Sequence, residues 1–208
     1  MRSPFVDVFA ALATAFDRAG VPWYLFGAQA AILYGSARLS ADVDVTVDLG
    51  GASASVLDAP LAAAGFTSRG ASPEQIAATR VLPVTHAPSA IPVDIVIAGP
   101  GLEELFLARA GHVDVGGARI PVARAEDVVA MKLLAGRPKD LEDVCAILGA
   151  RAGSIDLAIV RETVALLEGA LDRNDLTRAL DQALAAVHGI PARPPRQGGR
   201  TRRKPGAK

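Results

Sequence analysis

The chain of 208 residues has a single cysteine, Cys145, so it can form neither an internal disulfide nor a cysteine-based zinc cluster. It contains no run of 18 apolar residues, so no membrane span is expected. The apolar stretch near the N-terminus includes Asp7 and lacks a small-residue cleavage site, which predicts an amphipathic helix and not a signal peptide. These absences together favour a cytoplasmic protein without membrane contact.

Lysine is also scarce: the chain contains four lysines and 18 arginines. Only Lys132 and Lys139 precede the last 18 residues. A chain that uses arginine as its habitual cation and still keeps a lysine indicates a need for a compact point charge. Lys132 has apolar neighbours in a predicted helix, so its side chain either runs along the surface to reach water or is directed into a site.

Half of the residues are hydrophobic, which predicts one packed domain, or one domain with a small appendage. The formal net charge of zero hides an asymmetry, because residues 191–208 hold seven basic residues and no acidic one. The remaining 15 basic and 22 acidic residues give residues 1–190 a net charge of −7. We predict that 191–208 form a disordered basic tail, either a non-specific nucleic-acid contact or a solubility tail.

Hydrophobic periodicity predicts a mixed α/β N-terminal half and an all-helical C-terminal half. Pro83 should place its strand at a sheet edge or a bulge. The predicted helices cover 4–19, 28–34, 53–64, 102–109, 126–135, 140–150, 155–170 and 175–187; the predicted strands cover 21–26, 42–49, 77–86 and 92–98, with a hairpin over 112–123 closed by Gly116-Gly117.

The alternating segment DVDVTVDL at 42–49 carries Asp42 and Asp44 on one face of its strand. Their Cα atoms should lie about 7 Å apart. Two carboxylates this close favour a bound cation, and carboxylate oxygens suit Mg²⁺, which takes further ligands from water and substrate phosphates. The alternative is the solvated outer face of an edge strand, although aspartate is depleted in strands.

Asp94 lies between Val93 and Ile95 in the most hydrophobic predicted strand. An ionised carboxylate there requires a partner or a metal. If this strand pairs with 42–49, three carboxylates converge, an arrangement suited to two Mg²⁺ ions and in-line nucleotidyl transfer. The alternative is a hydrogen-bonded residue near a strand end.

Gly27-Ala28 joins a predicted strand to a predicted helix, 15 residues before Asp42. Glycine lets the backbone approach a ligand closely, and the N–H groups at the start of a helix can bind phosphate. The alternative is a tight turn.

The segments at 25–47 and 92–98 resemble the nucleotidyltransferase fold of the DNA polymerase β superfamily, and more narrowly the AbiEii-type bacterial nucleotidyltransferases. The stretch at 126–148 is also similar to this group, whose members carry a lysine on a helix, then an arginine and an Asp-x-x-Asp turn. The resemblance covers about residues 20–150. In the first motif the matching residues are Gly27, Ala30, Tyr34, Gly35, Arg38, Ser40, Asp42 and Asp44.

The resemblance implies an α+β fold, with a small mixed sheet flanked by helices and a C-terminal helical bundle. We predict a nucleotidyltransferase core at 1–124, a helical region at 125–190 and the basic tail at 191–208, which has no counterpart in the family pattern. The resemblance also implies catalytic and metal-binding residues, Asp42, Asp44 and Asp94, with Mg²⁺ as the cofactor. Its nucleotide-binding residues are Gly27, Ala28, Arg38, Ser40 and Lys132.

Two positions require a separate interpretation. Ala28 stands where the family usually has glycine or serine, so it supplies only its backbone N–H to the nucleotide. Asp140 reads as an N-cap with Asp143 three residues later, a structural role, with support of the site as the alternative.

The leading hypothesis is an enzyme that transfers a nucleotide from an NTP to an acceptor hydroxyl. By resemblance it is the toxin of a toxin–antitoxin pair that acts on tRNA or protein, with a cognate antitoxin as partner. The alternatives are an antibiotic-modifying nucleotidyltransferase, a degenerate non-catalytic binding module and a nucleic-acid-binding adaptor. Intact Asp42, Asp44 and Asp94 argue against the degenerate module, and the acidic body argues against the adaptor.

Overall fold

The computed structural model describes residues 3–189, which form an α+β fold on one mixed sheet. The predicted fold class is confirmed. The predicted basic tail lies outside the described residues, and the domain boundary at 124 stays a prediction. The strands are β1 (Trp23–Phe26), β2 (Val43–Val47), β3 (Phe66–Ser68), β4 (Val81–His86), β5 (Ile91–Ile97), β6 (Gly111–Val115) and β7 (Ala118–Val122), in the sheet order β3-β4-β5-β2-β1-β7-β6.

The helices surround this sheet and continue as a helical region after β7. The amphipathic helix predicted at the N-terminus is confirmed, because it buries Val8, Leu12 and Phe16 on one side. It ends at Gly20, whose φ of 66° is the left-handed conformation common after a helix. The helices are α1 (Pro4–Ala19), α2 (Gly27–Leu33), α3 (Asp58–Ala63), α4 (Pro73–Thr79), α5 (Leu102–Arg109), α6 (Ala125–Ala135), α7 (Pro138–Ala150), α8 (Leu157–Leu171) and α9 (Leu176–His188).

The strands at the centre of the sheet position the acidic residues. Strand β2 runs antiparallel to β1 and parallel to β5, and Asp44 lies directly opposite Asp94 in the β2–β5 register. Val43, Val45 and Val47 are fully buried on the opposite face of β2. Alternation along the strand therefore packs the valines into the core and turns Asp44 to the other side.

The strand predicted within 77–86 is confirmed as Val81–His86, but its suggested earlier start is wrong, because residues 77–79 belong to α4. The start of α4 carries a capping box in which Ser72 and Gln75 satisfy each other's backbone N–H groups, with Pro73 in the first turn. This serine-x-x-glutamine pattern is visible in the sequence and favours a helix over a strand.

The prediction from Pro83 is also wrong, because β4 lies inside the sheet between β3 and β5. The Pro83 carbonyl accepts from the Arg69 N–H, just beyond the end of β3 at Ser68. In an antiparallel ladder the nitrogen and carbonyl of one residue face the same neighbour. The Pro83 nitrogen therefore faces the β3 side at a point beyond Ser68, where β3 has ended. Although proline lacks an N–H, the sheet loses no β3–β4 hydrogen bond.

Within residues 3–189, no helix has the length and apolar composition needed to cross a membrane.

Candidate active site

One cavity of about 260 Å³, here called the polar cavity, opens beside the start of β2 and the middle of β5, where these strands pair. Strand β1, the start of α2 and the α6–α7 connection complete its walls. All eight residues predicted for the site line it, and their individual roles stay predictions. They are Gly27, Ala28, Arg38, Ser40, Asp42, Asp44, Asp94 and Lys132.

Asp44 packs directly against Gly27 in the polar cavity. A Cβ atom on Gly27 would come within 2.7 Å of the Asp44 Cγ atom, so only glycine fits beside this carboxylate. Burial, followed by the charges of Asp42 and Asp94, raises the pKa of Asp44 to about 6. The backbone N–H of Ala28 donates to Asp44 and, with Lys132, opposes this rise. A bound cation would stabilise the ionised carboxylate.

Asp42 precedes β2 in a loop that is held by side-chain hydrogen bonds. The Ser40 hydroxyl donates to the Asp42 carboxylate and is the main reason that the pKa of Asp42 is lowered. Gln29 donates its amide to the carbonyl oxygens of Ser40 (3.2 Å) and Asp42 (3.3 Å). Gln29 is 6% exposed. It was not identified from the sequence as a site residue, because a glutamine in a predicted helix gives no sign that it binds the backbone of a distant loop.

Asp94 has a cationic partner that the sequence did not reveal. The Arg69 guanidinium contacts the Asp94 carboxylate and also donates to the Val93 carbonyl at 3.3 Å. Both charged side chains remain more than one-third exposed. Arg69 reaches Asp94 because β3 and β4 bring it back across the sheet, a long-range arrangement without a local sequence signal.

Lys132 is buried between two aspartates of α7. Its ammonium donates to Asp140 at 3.0 Å and to Asp143 at 2.8 Å, and the residue is 5% exposed. The alternative in which Lys132 runs along the surface to water is therefore wrong. The N-cap assigned to Asp140 is also wrong, because Arg137 is the N-cap and Asp140 lies in the first turn of α7.

The same two aspartates hold the arginines of the polar cavity. Asp143 accepts from the Ser36 hydroxyl at 2.6 Å and from Arg38 at 3.2 Å, and Asp140 accepts from Arg137. Burial would raise the pKa of both aspartates, but the hydrogen bonds from these cations keep it lowered. The α7 carboxylates thus fix the positions of cations whose outer faces line the cavity.

The basic residues of the α6–α7 connection were not included in the predicted nucleotide site. Arg137 and Lys139 both line the polar cavity, and Lys139 contributes to the lowered pKa of Asp42. The sequence signal was the Arg-Pro-Lys-Asp segment at 137–140, which was interpreted as a helix start, with support of the site as the alternative. With Arg38, these residues place three cations near three carboxylates, a charge pattern suited to a phosphate anion and a metal cation together.

The donor set of the polar cavity fits Mg²⁺ in part. Asp42 and Asp44 provide carboxylate oxygens, and one or two carboxylates plus substrate phosphates are the usual protein-bound environment of this ion. As the side chains stand, residues 3–189 contain no group of three His, Cys, Asp or Glu arranged to hold a metal. Asp94 is paired with Arg69 through one of its carboxylate oxygens, and this contact competes with a cation for the carboxylate.

A family model described as the nucleotidyl transferase AbiEii toxin of type IV toxin–antitoxin systems matches residues 11–200. This match covers most of the chain. The chain belongs to the AbiEii nucleotidyltransferase toxin family. The resemblance given by Gly27, Arg38, Asp42 and Asp44 is thereby confirmed, and the prediction of a nucleotidyltransferase enzyme is confirmed with it.

Solved structures share the fold of this AbiEii-family chain at low sequence identity. The antibiotic-resistance factor ANT(2'')-Ia in solution matches with a TM-score of 0.57 and 16% identity, over 90% of this chain and 98% of that one. The crystal structure of ANT(2'')-Ia with adenylyl-2''-tobramycin matches at 0.57 and 14%, over 81% and 99%. An antigenic nucleotidyltransferase-like protein from Paracoccidioides brasiliensis matches at 0.51 and 17%, over 84% and 90%.

No curated protein sequence matches the chain. The likeness to ANT(2'')-Ia shows the fold alone, since shared folds carry many different chemistries. The shared fold therefore does not specify the acceptor of this AbiEii-family member.

Proposed function

We propose that this AbiEii-family chain is a Mg²⁺-dependent nucleotidyltransferase that moves a nucleotide from an NTP to an acceptor hydroxyl. The observation that carries the proposal is the register of β2 and β5, which sets Asp44 directly opposite Asp94 in a cavity that also holds Asp42 and Arg38. Neighbouring carboxylates and phosphate-binding cations in one cavity are the parts that nucleotidyl transfer requires.

Asp42 and Asp44 would hold Mg²⁺, which when bound supplies positive charge to the phosphate oxygens. Asp94 would accept the proton of the attacking acceptor hydroxyl once it is released from Arg69. The hydroxyl oxygen then bonds to the α-phosphorus, and the bond from this phosphorus to the oxygen bridging to the β-phosphate breaks. Pyrophosphate leaves with the bonding electrons.

The cations of the cavity would bind the triphosphate. Arg38 and Arg137 are already held by Asp143 and Asp140, so little side-chain freedom is lost when they meet phosphate oxygens. Gly27 and Ala28 would offer backbone close to the β- and γ-phosphates, and Ser40 would keep Asp42 oriented. Lys132 binds Asp140 and Asp143, which in turn would position Arg137 and Arg38 for the phosphates.

As a toxin, the protein would act on tRNA or on a protein, and a cognate antitoxin would oppose it. The family match to a toxin favours an acceptor of this kind and makes antibiotic modification the second choice.

The test incubates the protein with Mg²⁺ and each NTP labelled at the α-phosphate, with total tRNA, cell lysate or tobramycin as the acceptor. We expect label on tRNA or on a protein, with pyrophosphate released. Asp44→Asn should lose about a hundred- to a thousandfold in rate, the range typical of removing one group that stabilises charge in the transition state, because Asp44 would hold Mg²⁺. Asp48→Asn is the matched control, because Asp48 also lies at an end of β2 but does not line the polar cavity.

The absence of label on every acceptor would contradict the proposal. Transfer to tobramycin alone would replace the toxin assignment by antibiotic modification. Equal rates for wild type and Asp44→Asn would remove Asp44 from the chemistry.

A further inference from the structure

A second cavity lies one step along the sheet from the carboxylates. The polar cavity rests on a row of side chains formed by Phe26, Asp44 and Asp94 in adjacent strands. Two residues further along the same strands, a second row is formed by Tyr24, Thr46 and Val96. Side chains two residues apart share a face of the sheet about 7 Å apart, so the two rows form one continuous floor.

The cavity over the second row is almost entirely apolar and is here called the apolar pocket. Its volume is about 450 Å³, within the range of small-molecule sites. Helices α5, α6 and α8 wall it with Phe106, Leu134 and Leu167, and the half-exposed Leu171 stands at its mouth.

The few polar groups of the apolar pocket are already engaged. The Thr46 hydroxyl is hydrogen-bonded to the Tyr24 hydroxyl, and Glu103 at the rim accepts from Arg80 at 2.7 Å. The pocket therefore offers apolar and aromatic surface to a ligand and few polar groups that are free to bind it. A charged or sugar-like group would lose hydration there without replacement.

The two cavities are contiguous. Phe26, Met131 and Ala135 line both of them, so a ligand in one lies in contact with the wall of the other. Cationic side chains belong only to the polar cavity, the carboxylates stand in the adjoining row, and the far end is apolar. The combined trough is thus charged at one end and apolar at the other.

We propose that the apolar pocket binds the nucleobase of the incoming NTP. A nucleoside triphosphate has the same layout as the trough, with an anionic chain at one end and a flat aromatic ring at the other, whose faces suit apolar surface, joined by a sugar of about the length between the rows. With the triphosphate beside Arg38 and the α-phosphate beside Asp44, the base extends over Thr46. The assignment rests on the proposed function only in taking an NTP as the ligand.

The test compares the binding of NTPs and of inorganic tripolyphosphate, both with Mg²⁺, by calorimetry. Tripolyphosphate occupies the phosphate end alone, so the wild type should bind at least one NTP at least tenfold more tightly than tripolyphosphate. Ala170→Trp fills the pocket from α8, at a residue that lines it and is exposed enough to be replaced without disturbing the core. Ala165→Trp on the same helix is the matched control, since Ala165 is exposed and lines neither cavity.

We expect Ala170→Trp to weaken binding of the preferred NTP at least tenfold and to leave tripolyphosphate binding unchanged, whereas Ala165→Trp changes neither. Leu171→Asp at the mouth should also weaken NTP binding without changing tripolyphosphate binding. This second variant tests the pocket even if the Ala170→Trp protein fails to fold. Equal affinity of the wild type for NTPs and tripolyphosphate would overturn the assignment. Unchanged NTP binding in both variants, with nucleotidyl transfer lost, would overturn it in favour of an acceptor in the pocket.

This test is independent of the test of the proposed function, because NTP binding is measured without any acceptor. The expected binding pattern in a protein that transfers no nucleotide would support the nucleobase pocket and contradict the transferase proposal.

Discussion

Gly27 and Asp44 are in contact in the fold, and any side chain at Gly27 would overlap the Asp44 carboxylate. The φ of Gly27 is 67°, and a Cβ there would lie 2.7 Å from the Asp44 Cγ and 2.9 Å from its Cβ. Strand β1 ends at Phe26, directly opposite Asp44, so the chain must turn away at Gly27 beneath this carboxylate. The glycine thus permits a half-buried acidic residue at the junction of β1 and α2.

Gly27→Ala should therefore lower the free energy of unfolding by about 1–3 kcal/mol, through left-handed strain together with the overlap. It should also abolish nucleotidyl transfer. Gly136→Ala is the matched control, because Gly136 has a similar φ of 62° but its Cβ would meet nothing nearer than 3.6 Å. Chemical denaturation gives the free energy of unfolding of both variants, and the difference between their losses measures the cost of the overlap with Asp44. Equal losses of stability would show that the overlap is relieved at no cost.

The pKa of Asp44, raised to about 6, makes a prediction about pH. Between pH 4 and 6 the folded protein binds a proton that the unfolded chain has released, so this group makes stability fall as pH rises through that window. Asp44→Asn removes this pH-dependent contribution to stability, because asparagine does not titrate. Without divalent cations, the variant should gain stability over wild type as pH rises from 4 to 7, by about 2–3 kcal/mol at most.

Thermal melting of wild type and Asp44→Asn across this pH range is the measurement. A constant difference in melting temperature would show that Asp44 titrates at its ordinary value. Added Mg²⁺ should reduce the advantage of the variant, because only the wild type gains from a cation at this carboxylate.

Lys132 should be needed for folding stability as well as for activity. Lys132→Ala leaves Asp140 and Asp143 buried without their shared cation, which should reduce the free energy of unfolding by about 3–5 kcal/mol. Lys139→Ala, an exposed cation of the same cavity, should alter stability by no more than about 0.5 kcal/mol while weakening NTP binding. Denaturant titration distinguishes the two. A stable Lys132→Ala protein would contradict the buried network.

Arg69 should compete with a divalent cation for Asp94. Arg69→Ala frees this carboxylate, and Mn²⁺ binding measured by electron paramagnetic resonance should tighten about two- to fivefold, the size expected for an exposed ion pair. Arg161→Ala breaks a comparably exposed pair with Asp181, away from the polar cavity, and should leave Mn²⁺ binding unchanged. Unchanged or weaker binding in Arg69→Ala would show that Asp94 takes no part in holding the cation.

The seven basic residues at 191–208 lead to a prediction about RNA. If they contact RNA, a chain ending at Ile190 should keep its turnover at saturating acceptor but bind RNA more weakly at low salt. The slope of log affinity against log salt should become shallower by about 0.7 for each lost phosphate contact. Equal slopes for the full and shortened chains would leave only the solubility role.

Local patterns in the sequence determined much of this protein. The alternation at 42–49 and the apolar run at 92–98 specified two strands, because the period of two is a property of neighbouring residues. Motif spacing pointed to the residues from Gly27 to Asp94 that now line one cavity. The capping box at Ser72 was equally local and was overlooked, so α4 was predictable, whereas the three residues of β3 were too few to show a period.

Tertiary structure alone decided how these pieces meet. The parallel register that sets Asp44 opposite Asp94, the burial of Lys132 between two α7 aspartates and the approach of Arg69 to Asp94 all join residues distant in sequence. Such pairings depend on how the sheet and helices pack as a whole. A charged residue looks the same in sequence whether it faces water, another charge or a ligand, and only the folded chain sets which of these neighbours it has.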